Sequence, residues 1–152
     1  MSAITLSRTD ADHPEFRSLV KLLDAHLAVT DGEEHDFYQQ YNGLDKIKYV
    51  VLACADGQAI ACGAIKHFSA DTMEVKRMYT EPEHRGQGVA AKVLEALEAW
   101  ARELGYQRCL LETGVRQPYA IRLYEKQGYL RMPENYGQYR GVVNSVCMEK
   151  VL

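Results

Sequence analysis

The residues Arg85-Gly86-Gln87-Gly88-Val89-Ala90 place a cation and two glycines at the start of an amphipathic segment. Glycine lets the backbone come close to a ligand with no Cβ in the way. A helix beginning inside such a loop leaves its first N–H groups without carbonyl partners, at the positive end of the helix dipole. That junction holds anions, and phosphate groups above all. Other reactive residue types show no such spacing. His13, His26, His35, His67 and His84 have no metal-ligand spacing, so no metal is expected. Cys54, Cys62, Cys109 and Cys147 form no Cys-x-x-Cys pair and sit in apolar, strand-like contexts. They read as buried reduced thiols of a cytoplasmic protein.

The elements that must carry the loop follow from periodicity. Residues 2–8 alternate as a first strand. Asp12 as N-cap, Pro14 in the first turn and Glu15 at the capping-box position open a helix. Its buried stripe is Phe16, Leu19, Val20, Leu22, Leu23 and Leu27, and it ends near Thr30. Phe37, Tyr38 and Tyr41 mark a short second helix. Ile47–Ala55, the Asp56-Gly57 turn and Gln58–Phe68 form a hairpin, with Gly63 as a bulge position. Met73–Thr80 is the next strand. Val89 to Leu104 is the main helix, closed by Gly105. Gln107–Thr113, a helix over Gln117–Gln127, Tyr129–Met132 and Val142–Lys150 complete the chain. The order β-α-α-β-β-β-α-β-α-β-β joins an antiparallel meander to a helical crossover, which is an α+β fold with a mixed sheet.

The 152 residues suit one domain, 47% hydrophobic and 26% charged, as in ordinary globular proteins. A net charge of −3 gives no basic footprint for nucleic acid. No apolar run nears the roughly 20 residues needed to span a bilayer, and the first residues lack the layout of a signal peptide.

Three phosphate loops compete. A nucleoside-triphosphate loop needs Gly-Lys-Ser/Thr, whereas Val89-Ala90 follow Gly88. A dinucleotide loop is matched by Gly86-x-Gly88-x-x-Ala91, with Glu112 about where a ribose-binding acid would stand. Against it, residues 81–85 separate strand from glycines, the preceding strands are hairpin-linked, and little chain remains. The third pattern covers more. Pro82-Glu83-His84-Arg85-Gly86-Gln87-Gly88-Val89-Ala90 resembles the Arg/Gln-x-x-Gly-x-Gly/Ala signature of the GNAT N-acetyltransferase superfamily. Leu111-Glu112-Thr113 and the block from Gln117 through Ala120, Leu123 and Tyr124 to Gly128-Tyr129 resemble its second motif. Gln117 stands where the family usually has Asn. Asn135–Tyr139 and Ser145–Glu149 also resemble a group of small bacterial members.

The resemblance implies a central mixed, mostly antiparallel sheet of six or seven strands, splayed between the fourth and fifth, with about four helices. It implies acetyl-CoA as co-substrate, its pyrophosphate held by residues 85–90 (Arg85, Gly86, Gln87, Gly88, Val89 and Ala90), with Gln117 and Tyr124 in contact. The pantetheine would pair along Arg77-Met78-Tyr79-Thr80 like an added strand, and an N–H near Met78 would stabilise the oxyanion. Tyr124 matches the family's proton donor to the departing thiolate. Glu112 and Glu74, on the two arms of the splay, are the candidates for general base.

The acceptor is less defined. Arg77, Arg131 and Arg140, with Tyr38, Tyr41, Tyr136 and Tyr139, fall in segments able to surround the open end. Arginine holds a carboxylate through a bidentate fork, which points to a small amine carrying a carboxylate, with Arg77 and Tyr139 foremost. The expected partners are thus a small-molecule amine, no nucleic acid and no membrane, in a monomer or homodimer. Rival readings are a peptide or protein amine acetyltransferase and a silent acyl-CoA-binding regulatory module; the module has no need of Tyr124 or the two glutamates.

Overall fold

The computed structural model describes residues 3–39, 43–44 and 47–152. The strands β1 (Thr5–Thr9), β2 (Tyr49–Ala55), β3 (Gln58–Ser69), β4 (Thr72–Thr80), β5 (Arg108–Gly114), β6 (Leu130–Arg131) and β7 (Ser145–Val151) form one seven-stranded sheet. Their order is β1-β2-β3-β4-β5-β7-β6. The α-helices among the described residues are α1 (Pro14–Asp31), α2 (His35–Gln39), α3 (Val89–Glu103) and α4 (Pro118–Lys126). Every neighbouring pair is antiparallel except β4 with β5, so the sheet is mixed and the fold is α+β. No helix among the described residues is long and apolar enough to cross a membrane.

Side chains alternate across a strand, and this sheet buries both faces. Val51 and Ala53 of β2 pack with Val93, Leu94, Leu97 and Ala101 of α3, while Val50 and Leu52 face Phe16, Leu19 and Val20 of α1. That double burial explains why residues 47–55 read as a continuous apolar run rather than an alternating one. A third cluster, Tyr38, Leu110, Tyr136, Tyr139 and Cys147, lies around β5 and β7. The β2–β3 turn has positive φ at both Asp56 (53°) and Gly57 (79°), the turn that a right-twisted hairpin favours.

Several local expectations are corrected. His13, not Asp12, caps α1: its Nδ1 accepts the N–H of Glu15 at 3.2 Å. The Glu15 carboxylate leaves its own helix end and accepts the N–H of Ala59 at 2.8 Å. Leu22 falls off the buried stripe and is 45% exposed. The strand expected over Tyr129–Met132 shrinks to Leu130–Arg131, and β7 begins at Ser145 rather than Val142. Asn135 accounts for the later start of β7, since its Nδ2 donates to the carbonyls of Val142 and Ser145, each at 3.1 Å, and ties that stretch into a turn. The bulge lies opposite Gly63, on β4: Cys62 pairs with Tyr79 and Ala64 with Lys76, so Gly63 faces both Arg77 and Met78. All four cysteines are free, three of them buried and Cys54 half-buried. Tyr41 lies outside the described residues.

The parallel pairing is short. Only Thr72, Met73 and Glu74 pair with Arg108, Cys109 and Leu110. Beyond Glu74 the strands part, β4 staying on β3 and β5 staying on β7.

Candidate active site

Where β4 and β5 part, a cleft of about 1260 Å³ opens between the second half of β4, the loop into α3, the end of β5, the start of α4 and the last two turns of α1. At one end is the glycine loop. Gly86 and Gly88 have φ of 77° and 79°, a region that residues with a Cβ rarely enter. Gly88 caps α3, whose first backbone bond runs from Lys92 N to Gly88 O at 3.2 Å. The N–H groups of Val89, Ala90 and Ala91 are thus left without helical partners, and these residues line the cleft. A Cβ at Gly86 or Gly88 would meet nothing within 4 Å, so open space faces both glycines. Arg85 is held by its Nε donating to the Thr80 carbonyl at 2.8 Å, its guanidinium over the Tyr79 ring at 5.5 Å. This donor set, free N–H groups beside an arginine, suits a pyrophosphate. Gln117 lines the same end as the residue before α4. Gln87 is exposed and is not part of the lining.

The middle of the cleft is the β4 bulge. Arg77 has φ of 56°, unusual for a side chain of its size, and three contacts hold it there. Its guanidinium pairs with Asp24 of α1, the Cys62 thiol donates to its carbonyl at 3.3 Å, and Met78 Sδ fills the space above Gly63. A Cβ on Gly63 would lie 2.4 Å from that sulfur. With the bulge in place, Met78, Tyr79 and Thr80 line the cleft. Arg77 also lies along it, but its side chain is only 2% exposed and engaged by Asp24.

At the far end the sheet's two faces differ. Leu110 and Glu112 share a face of β5 with the tyrosine cluster, whereas Tyr124 of α4 packs on the opposite face with α3. Tyr124 is buried, edge-on to Tyr129 at 5.8 Å, and lines the cleft. Burial, with the nearby Glu112 charge, drives its phenol well above the usual range, so it stays protonated. Glu112 hydrogen-bonds Ser145, which is 2.9 Å from the Tyr38 hydroxyl. A serine has one proton, so when it donates to the carboxylate it accepts from Tyr38. The other oxygen, Glu112 Oε2, is buried without a partner. Burial pushes the Glu112 carboxyl up to about 7, opposed by the Ser145 bond and helped by Asp31.

Glu74, at the apex where the strands part, is differently placed. It accepts the Tyr136 hydroxyl at 2.7 Å and has Lys76 Nζ at 3.9 Å. Burial lowers the Lys76 pKa, and Glu74 opposes that. The two glutamates thus share the cleft, one satisfied and the other not. Tyr38 and Tyr139 line the open end, stacked at 6.4 Å, while Tyr136 stands behind Glu74 and Arg131 and Arg140 are outside the lining. Asp24, Lys76, Asp31 and Ser145 were given no role in the site by the sequence. Lys76 alone left a signal, two residues from Glu74 on the same strand face. One trio among the described residues, Glu81, Glu83 and His84, brings donor atoms within 4.8 Å of one another ahead of the glycine loop.

Comparison with known proteins agrees with this geometry. The model of the acetyltransferase (GNAT) family matches residues 16–129. The IAA acetyltransferase of Azospirillum brasilense is 35% identical over 159 aligned positions, covering 100% of both chains. A Klebsiella pneumoniae protein named for acyl-CoA N-acyl transfer superposes with a TM-score of 0.82 at 32% identity, over 98% of this chain and 97% of that one. A GNAT acetyltransferase of Elizabethkingia anophelis, solved with acetyl-CoA bound, shares the fold at a TM-score of 0.71 and 19% identity, over 98% of each chain. A sheet parted in this way, matched by the family's model from Phe16 to Tyr129 and along its whole length by an acetyltransferase, makes this chain a member of the GNAT acetyltransferase family.

Proposed function

We propose that the protein moves the acetyl group of acetyl-CoA to a primary amine of a small molecule by direct attack, both substrates being bound at once. The observation that carries this reading is the placement of Glu112 and Tyr124 on opposite faces of the sheet at one cleft, one a carboxylate with an unpartnered oxygen, the other a protonated phenol. The attacking nitrogen and the departing sulfur are separate substituents of the tetrahedral carbon, so a base beside one and an acid beside the other suit direct transfer between two bound substrates.

Acetyl-CoA supplies an activated acyl thioester; the chain's residues do the rest. The N–H groups of residues 86–91 and Arg85 hold the pyrophosphate, the edge of β4 from Met78 to Thr80 aligns the pantetheine arm, and the amide of Gln117 holds its far side. Glu112 Oε2 takes a proton from the alkylammonium, directly or through water, and a carboxyl near 7 does so at neutral pH. As the amine nitrogen bonds to the carbonyl carbon, the N–H of Met78 steadies the charge on oxygen. The C–S bond then breaks, Tyr124 gives its proton to sulfur, the nitrogen loses its second proton to water, and solvent restores the proton of Tyr124. Glu74 already accepts from Tyr136 and lies beside Lys76, which favours Glu112 as base.

Release of free thiol from acetyl-CoA, measured across a panel of amines, tests the proposal. Amine-dependent release with mass-verified N-acetyl product is expected. Tight acetyl-CoA binding with no release on any amine would replace the enzyme with a binding module.

A further inference from the structure

We infer that the acceptor is an alkyl- or arylalkylamine with no carboxylate beside its amino group, rather than an amino acid. This rests on the transfer proposed above and concerns what the other half of the cleft admits. The sequence, with its arginines, pointed to an acceptor bearing a carboxylate. The structure assigns those cations elsewhere. Arg77 is folded back on Asp24 with its side chain 2% exposed, and although its Nε is buried without a partner, its terminal nitrogen is engaged by Asp24. Arg116 reaches the cleft but donates to the carbonyls of Thr30 at 3.2 Å and Asp31 at 2.9 Å, with Glu34 at 4.0 Å. Lys76 stands 3.9 Å from Glu74. Arg140 is outside the lining, 3.9 Å from Glu134.

What this half offers instead is negative charge over apolar walls. Glu112, Glu74 and Asp31 line it, and Asp31 is near enough to act on the Glu112 charge. The unpartnered Glu112 Oε2 calls for a hydrogen-bond donor, which an ammonium supplies and a carboxylate does not. The walls are Leu23 and Leu27 of α1 and the rings of Tyr38 and Tyr139, which suit an apolar or aromatic body and the face of a cation. A carboxylate carried on the α-carbon lies two bonds from the amine nitrogen and would be brought toward the same acidic groups that hold the ammonium. Like-charge juxtaposition of that kind is a device of exclusion.

Matched pairs test this directly: tyramine with L-tyrosine, and phenethylamine with L-phenylalanine, each with acetyl-CoA and thiol release as readout. The decarboxylated member of each pair is expected to show a kcat/KM at least ~100-fold higher. Asp31→Asn, at unchanged Tm, is expected to narrow that ratio about tenfold, since one of three charges is removed. Equal rates within a pair, or a preference for the amino acid, would overturn the inference while leaving acetyl transfer intact. With no release from any of the four, calorimetric titration of the same compounds in the presence of coenzyme A separates the two ideas. Amine binding at least ~100-fold tighter than amino-acid binding keeps the acceptor class and removes the transfer; equal binding, or none, overturns the class as well.

Discussion

The two ends of the cleft are made of different material. The donor end is almost all backbone: two glycines at positive φ, the free N–H groups of the first turn of α3, and the edge of β4 past its bulge. The acceptor end is side chains, brought by α1, α2, β4, β5 and the turn before β7. A site built from backbone is indifferent to most side-chain exchange and sensitive to conformation. A site built from carboxylates and tyrosines is sensitive to the loss of single atoms.

That contrast can be broken or sharpened by substitution. The largest effect is expected from Glu112→Gln, which keeps shape and removes the proposed base: kcat/KM for the amine falls by roughly 10²–10⁴. Activity of the unsubstituted protein is expected to rise with pH through about 7, as the carboxyl ionises, and the variant loses that limb in a pH–rate profile. Acetyl-CoA affinity measured by calorimetry should be unchanged; a large loss would show that the two ends are not separable.

Tyr124→Phe comes next, with kcat reduced on the order of 10–100-fold, toward the lower side of a proton-transfer contribution because solvent can still protonate a thiolate. Rates equal to those of the parent would take Tyr124 out of the chemistry. Gly88→Ala tests the donor end from the opposite side. No atom lies within 4 Å of the added Cβ, so the cost is conformational, about 1 kcal/mol at φ of 79°. KM for acetyl-CoA is expected to rise roughly fivefold, as 1 kcal/mol in binding implies, while kcat holds. Steady-state kinetics with varied acetyl-CoA would expose the reverse pattern. A further effect is on stability rather than on rate. Folding raises the Glu112 pKa from its ordinary 4.5 to about 7, so the folded state holds that proton more tightly than the unfolded one. Its cost is absent below about 4.5, grows as pH rises and is complete above about 7. Glu112→Gln should therefore stabilise the fold more at pH 8 than at pH 5, by no more than ~3 kcal/mol in unfolding free energy at ~1.4 kcal/mol per pKa unit, seen as a larger gain in Tm at pH 8. An equal gain at both pH values would count against the raised pKa.

The same contrast explains what could be read from the chain before its fold was known. The donor end is local: Arg85 to Ala90 and Gln117 to Tyr124 are short stretches whose order alone states the geometry. The hairpin turn and the helix stripes were legible for the same reason. The acceptor end is assembled over long separations. Tyr38 meets Ser145 across 107 residues, Tyr136 meets Glu74 across 62 and Arg77 meets Asp24 across 53. No periodicity encodes such pairs, so Arg77 read as an open guanidinium and Ser145 was given no role in the site. Gly63 by itself signals only that something comes close, not which of the two paired strands carries the extra residue. What comes close is Met78, a side chain from the neighbouring strand.

The brevity of the β4–β5 ladder has a consequence for exchange of the backbone with solvent. Amides of a strand point alternately to its two neighbours. Beyond Glu74, those of β4 that face β3 are paired, while those that face the seam have no strand to meet. Hydrogen–deuterium exchange along residues 75–80 should therefore alternate between slow and fast on either side of the Arg77–Met78 bulge, where the alternation breaks. The fast amides are the ones a bound ligand lying in the seam would protect, which makes them a residue-by-residue gauge of its occupancy.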